Sequence, residues 1–416
     1  MAIVNLRDMI IHAYENNYAV GAFDLVSLEF LEGVIDAAER CRAPVILSLA
    51  EPHFTHYDVE LLLPAVEAAA RRASVPVAIQ FDHGASYDSI VQGINLGCNG
   101  VMLDATQEEL PANIEMTRKI TQMAHGCGVA VVGELGYVAG IEGEGGQQHP
   151  GEPMFTVPSE ARAYVERTGI DFLAVSIGTV QGRQRGRAKL DFQRLKNVHE
   201  AVRVPLVIHG GSGLTDDQYR RLIAHNVAMI NYYTGLSEIA FASERELLRG
   251  NRDGSYTAVN KGVRAAVAAE AERCLRLWGG AGRAAEILTQ CREWRPVEHI
   301  IVYNVDGLDS DGVDAMMVNG RRILGQIPGV REVFAGEAVK VDGAYRYCWR
   351  VRFVSEAVID SYRNHPDHVA FADHYFRPYA DDRLSIDFLA VQTIPGQVAG
   401  PHPPLNTPVS RVQGSS

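Results

Sequence analysis

The chain has 416 residues, 47% of them apolar and 22% charged, and carries a formal charge of −12. That length exceeds one ordinary hydrophobic core and implies at least two domains. The acidic balance argues against nucleic acid and anionic membrane surfaces as partners, because phosphate backbones require a basic face; anionic small molecules need only a local positive site and stay open.

The opening stretch "MAIVNLRDMIIHAYENN" carries Arg7 and Asp8 and lacks a signal-peptide core. No apolar run approaches membrane-spanning length, so a cytoplasmic location is expected. The six cysteines are scattered without a C-x-x-C pair and read as buried thiols.

Eight apolar runs then follow in order: "YAVGAF" (18–23), "APVILSLA" (43–50), "VPVAIQFD" (75–82), "CNGVMLD" (98–104), "GVAVVGE" (128–134), "IDFLAVSIG" (170–178), "VPLVIHG" (204–210) and "VAMINY" (227–232). Segments such as "SLEFLEGVIDAAERC" and "DFQRLKNVHEAV" between them repeat their apolar residues at helical spacing. The alternation predicts an α/β fold, a (β/α)8 TIM barrel. A doubly wound open sheet is the alternative. After strand five, "LGYVAGIEGEGGQQHPGEPMFTVPSE" is glycine-rich and aperiodic, and reads as a mobile functional loop. Residues 236–293 read as helices that close the barrel. From about 296 the pattern changes to strand-like runs ("HIIVYNV", "YRYCWRVRFV", "LSIDFLAV") with helical runs near 311–325 and 355–364. The expected organisation is a barrel over 1–285, a linker over 286–295, a small α+β domain over 296–392, and a Pro/Gly/Ser-rich disordered tail over 393–416.

Polar residues gather where the barrel strands end, the face on which such barrels carry their sites. Strand three ends in "QFDHGAS", placing Asp82 beside His83. That pairing suits a metal ligand next to an acid/base group, although a hydrogen-bonded structural pair would look the same. Strand seven ends in "VIHGGSG", with His209 before Gly210, Gly211 and Gly213. These glycines let backbone approach a ligand, and a helix start after strand seven makes a phosphate site; a tight turn is the simpler reading of any one cluster. Asn231 and Thr234 in "INYYTG" face the same place.

"FDHG" (81–84), "GELGYVAGIEGE" (133–144), "LAVSIGT..G" (173–182), "DFQRL" (191–195), "PLVIHGGSG" (205–213) and "INYYTGL" (230–236) resemble class II (metal-dependent) aldolases of the fructose-bisphosphate and tagatose-bisphosphate type, over about residues 1–285. The resemblance implies a lyase that cleaves or forms a C–C bond of a ketose phosphate through a metal-stabilised enediolate. His83 and His209 match zinc ligands. Asp82 matches the carboxylate that exchanges a proton with the aldehyde-derived hydroxyl. Glu142 matches the group that handles the donor's α-proton. Gly182, Gly210, Ser212, Asn231 and Thr234 match positions that hold the donor and its phosphate.

The sequence also departs from that family. Gln181 stands where a third zinc histidine is expected, and an amide is a weaker zinc ligand than imidazole. Glu134 could complete a two-histidine, one-carboxylate set suited to zinc, manganese or iron. Tyr233, Ala50 and Asp24 replace other residues usual at their positions; Arg185, in the "RQRGR" run, could offer charge from a new direction, although a solvated basic loop would look the same. Standard fructose 1,6-bisphosphate is therefore not the expected substrate.

"VEHIIVYNV", "IPGVREVFAG", "YRYCWRVRFVSEAVIDSYRNHPDHVAF" and "IDFLAV" resemble the stress-responsive A/B-barrel (Dabb) domain, a dimeric ferredoxin-like module. The resemblance implies a homodimer or higher homo-oligomer. Tyr362 and His368 match an acid/base pair of plant polyketide cyclases with this domain. Two rival readings remain: a metal-poor sugar-phosphate-binding module with an assembly domain, and a two-site enzyme using Tyr362 and His368.

Overall fold

The structure is a computed structural model and describes residues 3–138, 154–182, 188–250, 255–340 and 343–389. Helix α1 (Leu6–Glu15) leads into eight strand–helix units: β1 (Val20–Asp24), α2 (Leu28–Cys41), β2 (Val45–Ala50), α3 (Val59–Arg72), β3 (Val77–Gly84), α4 (Tyr87–Leu96), β4 (Gly100–Leu103), α5 (Leu110–Gly126), β5 (Ala130–Leu135), α6 (Pro158–Thr168), β6 (Phe172–Val175), α7 (Phe192–Ala201), β7 (Leu206–Ile208), α8 (Asp216–Ala224) and β8 (Val227–Tyr232). Each strand pairs in parallel with the next, and β8 closes on β1. This is a closed (β/α)8 barrel. The open-sheet alternative does not apply.

Strand alternation sorts the side chains. Inward residues Ala22, Ile46, Ala78, Val132, Ala174, Val207 and Met229 form the apolar middle of the barrel. Helix α1 plugs the lower end, with Leu6, Met9, Ile10 and Ala13 in that same cluster. Outward residues pack under the ring of helices, including α9 (Thr234–Gly250), α10 (Tyr256–Leu277) and α11 (Ala284–Gln290).

The C-terminal domain contains β9 (Val297–Tyr303), α12 (Ser310–Leu324), β10 (Val330–Glu337), β11 (Tyr347–Phe353), α13 (Val358–Arg363), α14 (Pro366–Phe371) and β12 (Arg383–Leu389). Its antiparallel sheet runs β10-β11-β9-β12. Helix α14 is an addition to the sequence reading: Pro366 sits at its first turn, with His365 as the cap. A proline there supports a helix because the missing N–H has no intrahelical partner to lose.

This domain docks on the helix C-termini of the barrel. Asn95, near the end of α4, donates to the Gly325 and Ile327 carbonyls and accepts from Gly329 N–H. Ser355 donates to the Cys127 carbonyl. Arg331 forks onto Glu67 of α3 at 2.6–2.7 Å. Barrel helices run opposite to their strands, so these contacts lie at the end away from the strand C-termini. A cavity of about 580 Å³ opens at this junction, lined in part by Arg7, His125, Asp171 and Arg292. These four groups are already paired: Arg7 and His125 with Asp171, and Arg292 with Asp8.

Candidate active site at the strand C-termini

The alternation that fills the barrel with methyl groups lower down places polar groups in its top layer. Asp24, Ser48, Gln80, Asp82, Glu134, His209 and Asn231 continue the inward parity, and all are buried. His83 has outward parity. Its backbone turns at φ 49, a left-handed conformation costly for a side-chain-bearing residue and frequent where function demands it. The bend brings the imidazole back to the mouth.

There His83 Nδ1 lies 3.2 Å from Asp104 Oδ2. A carboxylate at Nδ1 selects the tautomer that carries its lone pair on Nε2. His209 Nδ1 and Gln181 Nε2 approach that Nε2 at 3.0 and 3.1 Å. Asp82 Oδ2 stands 3.8 Å away. Asp82, His83 and His209 offer ligand atoms that all lie within 4.8 Å of one another. Glu134 shares the well but does not belong to that group.

The electrostatics fit a cation. Burial, then the neighbouring His83, pushes His209 down to about 3, so it is a neutral imidazole at pH 7. Burial pushes Asp82 up to about 6 against the attraction of His83 and against hydrogen bonds from Gln80 (2.9 Å) and Asn231 (2.6 Å). Burial and the charge of Asp104 push Glu134 up to about 8. For Asp104, burial is outweighed by the hydrogen bond and charge of His83, and its carboxyl is held below the usual range. His209 Nε2, Asn231 Oδ1 and Thr179 Oγ1 are buried without a hydrogen-bond partner among the described residues. Nitrogen ligands around a tetrahedral zinc sit roughly 3.3 Å apart, close to the His83, His209 and Gln181 spacings. Turning the Gln181 amide over would present its oxygen to the same point.

Glycines bring the neighbouring loops together. Gly210 has φ 64, and a Cβ there would sit 2.3 Å from the Val180 carbonyl oxygen. The β7 tip therefore touches the turn that carries Gln181 and Gly182. Ser212 Oγ accepts the Gly235 N–H at 2.9 Å, tying this tip to the start of α9 at Thr234. Thr215 and Gln218 cap α8 reciprocally. Residues Gly182, Gly210, Ser212 and Thr234 thus share the β6–β8 rim. Asn231 stands beside them but donates to Asp82. Glu142 and Arg185 lie outside the described residues.

Residues 4–283 match the family described as fructose-bisphosphate aldolase class-II, and residues 297–390 match the stress responsive A/B barrel domain. The chain belongs to the class II fructose-bisphosphate aldolase family. A fructose-bisphosphate aldolase of Staphylococcus epidermidis is 34% identical over 256 residues, covering 61% of this chain and 88% of that protein. The crystal structure of the YdjI aldolase from Escherichia coli K12 is 33% identical with a TM-score of 0.61, covering 68% of this chain and 99% of that one. A Campylobacter jejuni fructose-bisphosphate aldolase structure, 20% identical with a TM-score of 0.58, covers 67% and 96% and shares the fold.

This class II aldolase is accordingly a lyase, fused to a Dabb domain. Two of its mouth residues escaped the sequence reading. Asp104 ends the strand-four run, and Gln80 precedes Asp82 by two. Strand-end position was the available signal for the first and inward parity for the second. No helix among the described residues is long and apolar enough to cross a membrane.

In the Dabb domain, the Tyr362 and His368 rings lie 4.3 Å apart. Burial raises the Tyr362 hydroxyl and lowers His368. His299, 6.1 Å from the Tyr362 ring, pairs with Asp387 at 2.6 Å across β9 and β12.

Proposed function

We propose that this aldolase cleaves or forms a C–C bond of a ketose phosphate other than standard fructose 1,6-bisphosphate. The observation that carries the reading is the convergence of His83, His209 and Gln181 beside a buried, hydrogen-bonded Asp82. His83 and His209 would hold a divalent cation with Gln181, and Glu134 stands ready as a carboxylate ligand. The two imidazoles favour zinc, and manganese or iron also suit the set. Such a cation supplies a Lewis acid for the donor carbonyl and offsets the charge of the enediolate.

The chain's own groups do the rest. In cleavage, Asp82 accepts the proton of the hydroxyl beside the scissile bond. The C–C bond breaks, the aldehyde carbonyl forms, and the electron pair stays on the carbon next to the donor's ketone. Glu142 then returns a proton to that carbon. Gln80 and Asn231 fix the Asp82 carboxylate throughout. Gly182, Gly210, Ser212 and Thr234 hold the donor phosphate at the β6–β8 rim. The test is retro-aldol cleavage of a panel of ketose mono- and bisphosphates with zinc, manganese and iron. Turnover of a monophosphate above fructose 1,6-bisphosphate is expected; sugar-phosphate binding without cleavage under any metal contradicts it.

A second reading concerns the Dabb domain. The His299–Asp387 pair beside Tyr362 and His368 supports an acid/base site for aldol ring closure. It lies on the domain docked at the far end of the barrel, so a shared intermediate would pass through solvent. Tyr362→Phe should abolish closure of an added poly-β-ketone while retro-aldol turnover is unchanged; equal closure by both forms removes this reading. On the opposite sheet face, Ile300 and Val302 line up with exposed Ile386 and Leu384. A second copy would cover that face, giving a homodimer or a larger homo-oligomer. The site's groups suit a soluble phosphorylated metabolite, in keeping with a cytoplasmic enzyme.

A further inference from the structure

Asp82 and His83 are sequence neighbours, yet both side chains reach one point with His209. Regular alternation would send them to opposite faces of the strand. The register shows how that rule is broken. On its β2 side, β3 pairs regularly as far as Asp82 with Ala50. On its β4 side, Phe81 pairs with Val101 and Gly84 with Leu103, so β3 takes three steps where β4 takes two. The extra residue makes a β-bulge, a device that re-aims side chains and is uncommon between parallel strands. His83 lies inside it, with its φ of 49. A side-chain-bearing residue stays in that conformation only where its surroundings over-determine it.

The bulge is held from both sides. From β4, Asp104 N–H donates to the Gly84 carbonyl at 2.9 Å. The Asp104 carboxylate meets His83 Nδ1 and is itself fixed by Thr106 Oγ1 at 2.7 Å. Gly84 cannot shift toward α4, because a Cβ there would already sit 2.3 Å from Ile90 Cδ1. From β2, the matching hold comes from one side chain: Glu51 Oε2 accepts the Ala85 N–H at 2.7 Å. Ala85 stands between Gly84, the last residue of β3, and Ser86, the cap of α4. Glu51 opens a short 3-10 turn, Glu51–Thr55, that is anchored in its own right. Pro52 has a fixed φ. His53 is 2% exposed, with its ring 4.3 Å from the Tyr233 ring. The Phe54 ring lies 5.6 Å from Phe81, the residue at which the bulge begins. A carboxylate on so fixed a base sets where the chain leaves the bulge.

Resting on the aldolase reading above, we propose that Glu51 is a positioning residue for the metal centre: by holding the Ala85 N–H it locks the bulge that aims His83 and Asp82 at one site. Glu51 is not among the residues that could ligate the cation. It acts through the backbone, as the outer partners of a metal ligand do. The role requires an acceptor oxygen at the reach of a glutamate side chain. It does not require a charge.

The test is a zinc titration of the metal-free full chain against a competing chelator, in wild type and three variants. Hydrogen exchange of the Ala85 amide and the metal-free thermal midpoint are measured alongside. Glu51→Ala should weaken zinc by about 10–100-fold, the usual size of an outer-partner loss. Glu51→Gln keeps an acceptor oxygen at the same reach and should stay within about threefold of wild type. Glu51→Asp keeps the charge but falls one methylene short, and should lose affinity as Glu51→Ala does. The Ala85 amide should exchange faster in Glu51→Ala and Glu51→Asp only, and all midpoints should stay within a few degrees. The Gln and Asp variants carry the test if Glu51→Ala does not fold. Unchanged zinc affinity in Glu51→Ala overturns the proposal. So does a wild-type Asp variant beside a weakened Gln variant, which would assign the effect to charge. A loss that follows the midpoint, with Gln no better than Ala, makes Glu51 merely structural and also overturns it. In each of these cases zinc binding by wild type leaves the aldolase reading standing. No zinc binding by wild type overturns both.

Discussion

The two ends of the barrel treat the same residue types in opposite ways. Near the base, Asn99 is buried, and both ends of its amide are used: it donates to the Val4 carbonyl at 2.7 Å and accepts from Ile79 N–H at 3.0 Å. At the mouth, Asn231 is equally buried; its amide nitrogen holds Asp82, and its oxygen has no hydrogen-bond partner among the described residues. At the base, Asp171 is tied to Arg7, His125 and the Val131 N–H. At the mouth, Asp82 and Glu134 are pushed toward their protonated forms. The base is a closed structural network on which a second domain rests. The mouth keeps polar groups buried and underused, the expected state of a site whose remaining partners are a cation and substrates.

Mutations on the two ends should therefore separate activity from stability. The largest effect is expected for His83→Ala. Retro-aldol kcat should fall by about a thousandfold or more as the bound metal is lost, while the thermal midpoint of the metal-free protein stays within a few degrees of wild type. Metal analysis and calorimetry read both. Asp82→Asn comes next. It should keep the metal yet lose roughly 10²–10⁴-fold in kcat, the usual size of an acid/base contribution. A variant that loses metal and activity together would make Asp82 a ligand instead.

At the base, Glu67→Gln should leave kcat unchanged and lower stability. Burial alone would raise the Glu67 carboxyl, but Arg331 and Arg71 hold it down to about 2. A depressed carboxylate contributes stability above its unfolded value near 4.5 and loses it as pH falls toward 2. The wild-type advantage over Glu67→Gln in urea should then be full at pH 6, on the order of 1–3 kcal/mol for a half-buried pair. It should shrink between about pH 4.5 and 2; an advantage constant across that window would assign it to packing.

The smallest change expected is Gln181→His, which should tighten metal about tenfold or more without altering the fold. If affinity is unmoved, Gln181 supports His83 without reaching the metal.

The sequence made parts of this contrast legible and hid others for physical reasons. Short continuous apolar runs marked all eight barrel strands because both faces of each are buried. Asp82, His83 and His209 could be singled out because each closes an apolar run. Simple alternation sends His83 outward, and the turn of the chain expected at a strand end, made here by a positive φ, brings it back to the same site as Asp82. The placement of Gln181 depends on the contact between Gly210 and Val180, which no local pattern encodes. Helix α1 gave no sign that it plugs the barrel. Strand β10 was missed by pattern, because the adjacent charges Arg331 and Glu332 and the exposed Phe334 interrupt any apolar run on this edge strand. His53 reads from sequence as an ordinary loop residue; only burial and the Tyr233 ring set it apart.

The most direct test measures divalent metal per chain together with α-proton exchange of dihydroxyacetone phosphate, in wild type and His83→Ala. One tightly held ion per chain, with exchange that disappears on chelation and in His83→Ala, is the expected result. Full exchange in chelated wild type would contradict a cation held by His83 and His209 as the centre of this site.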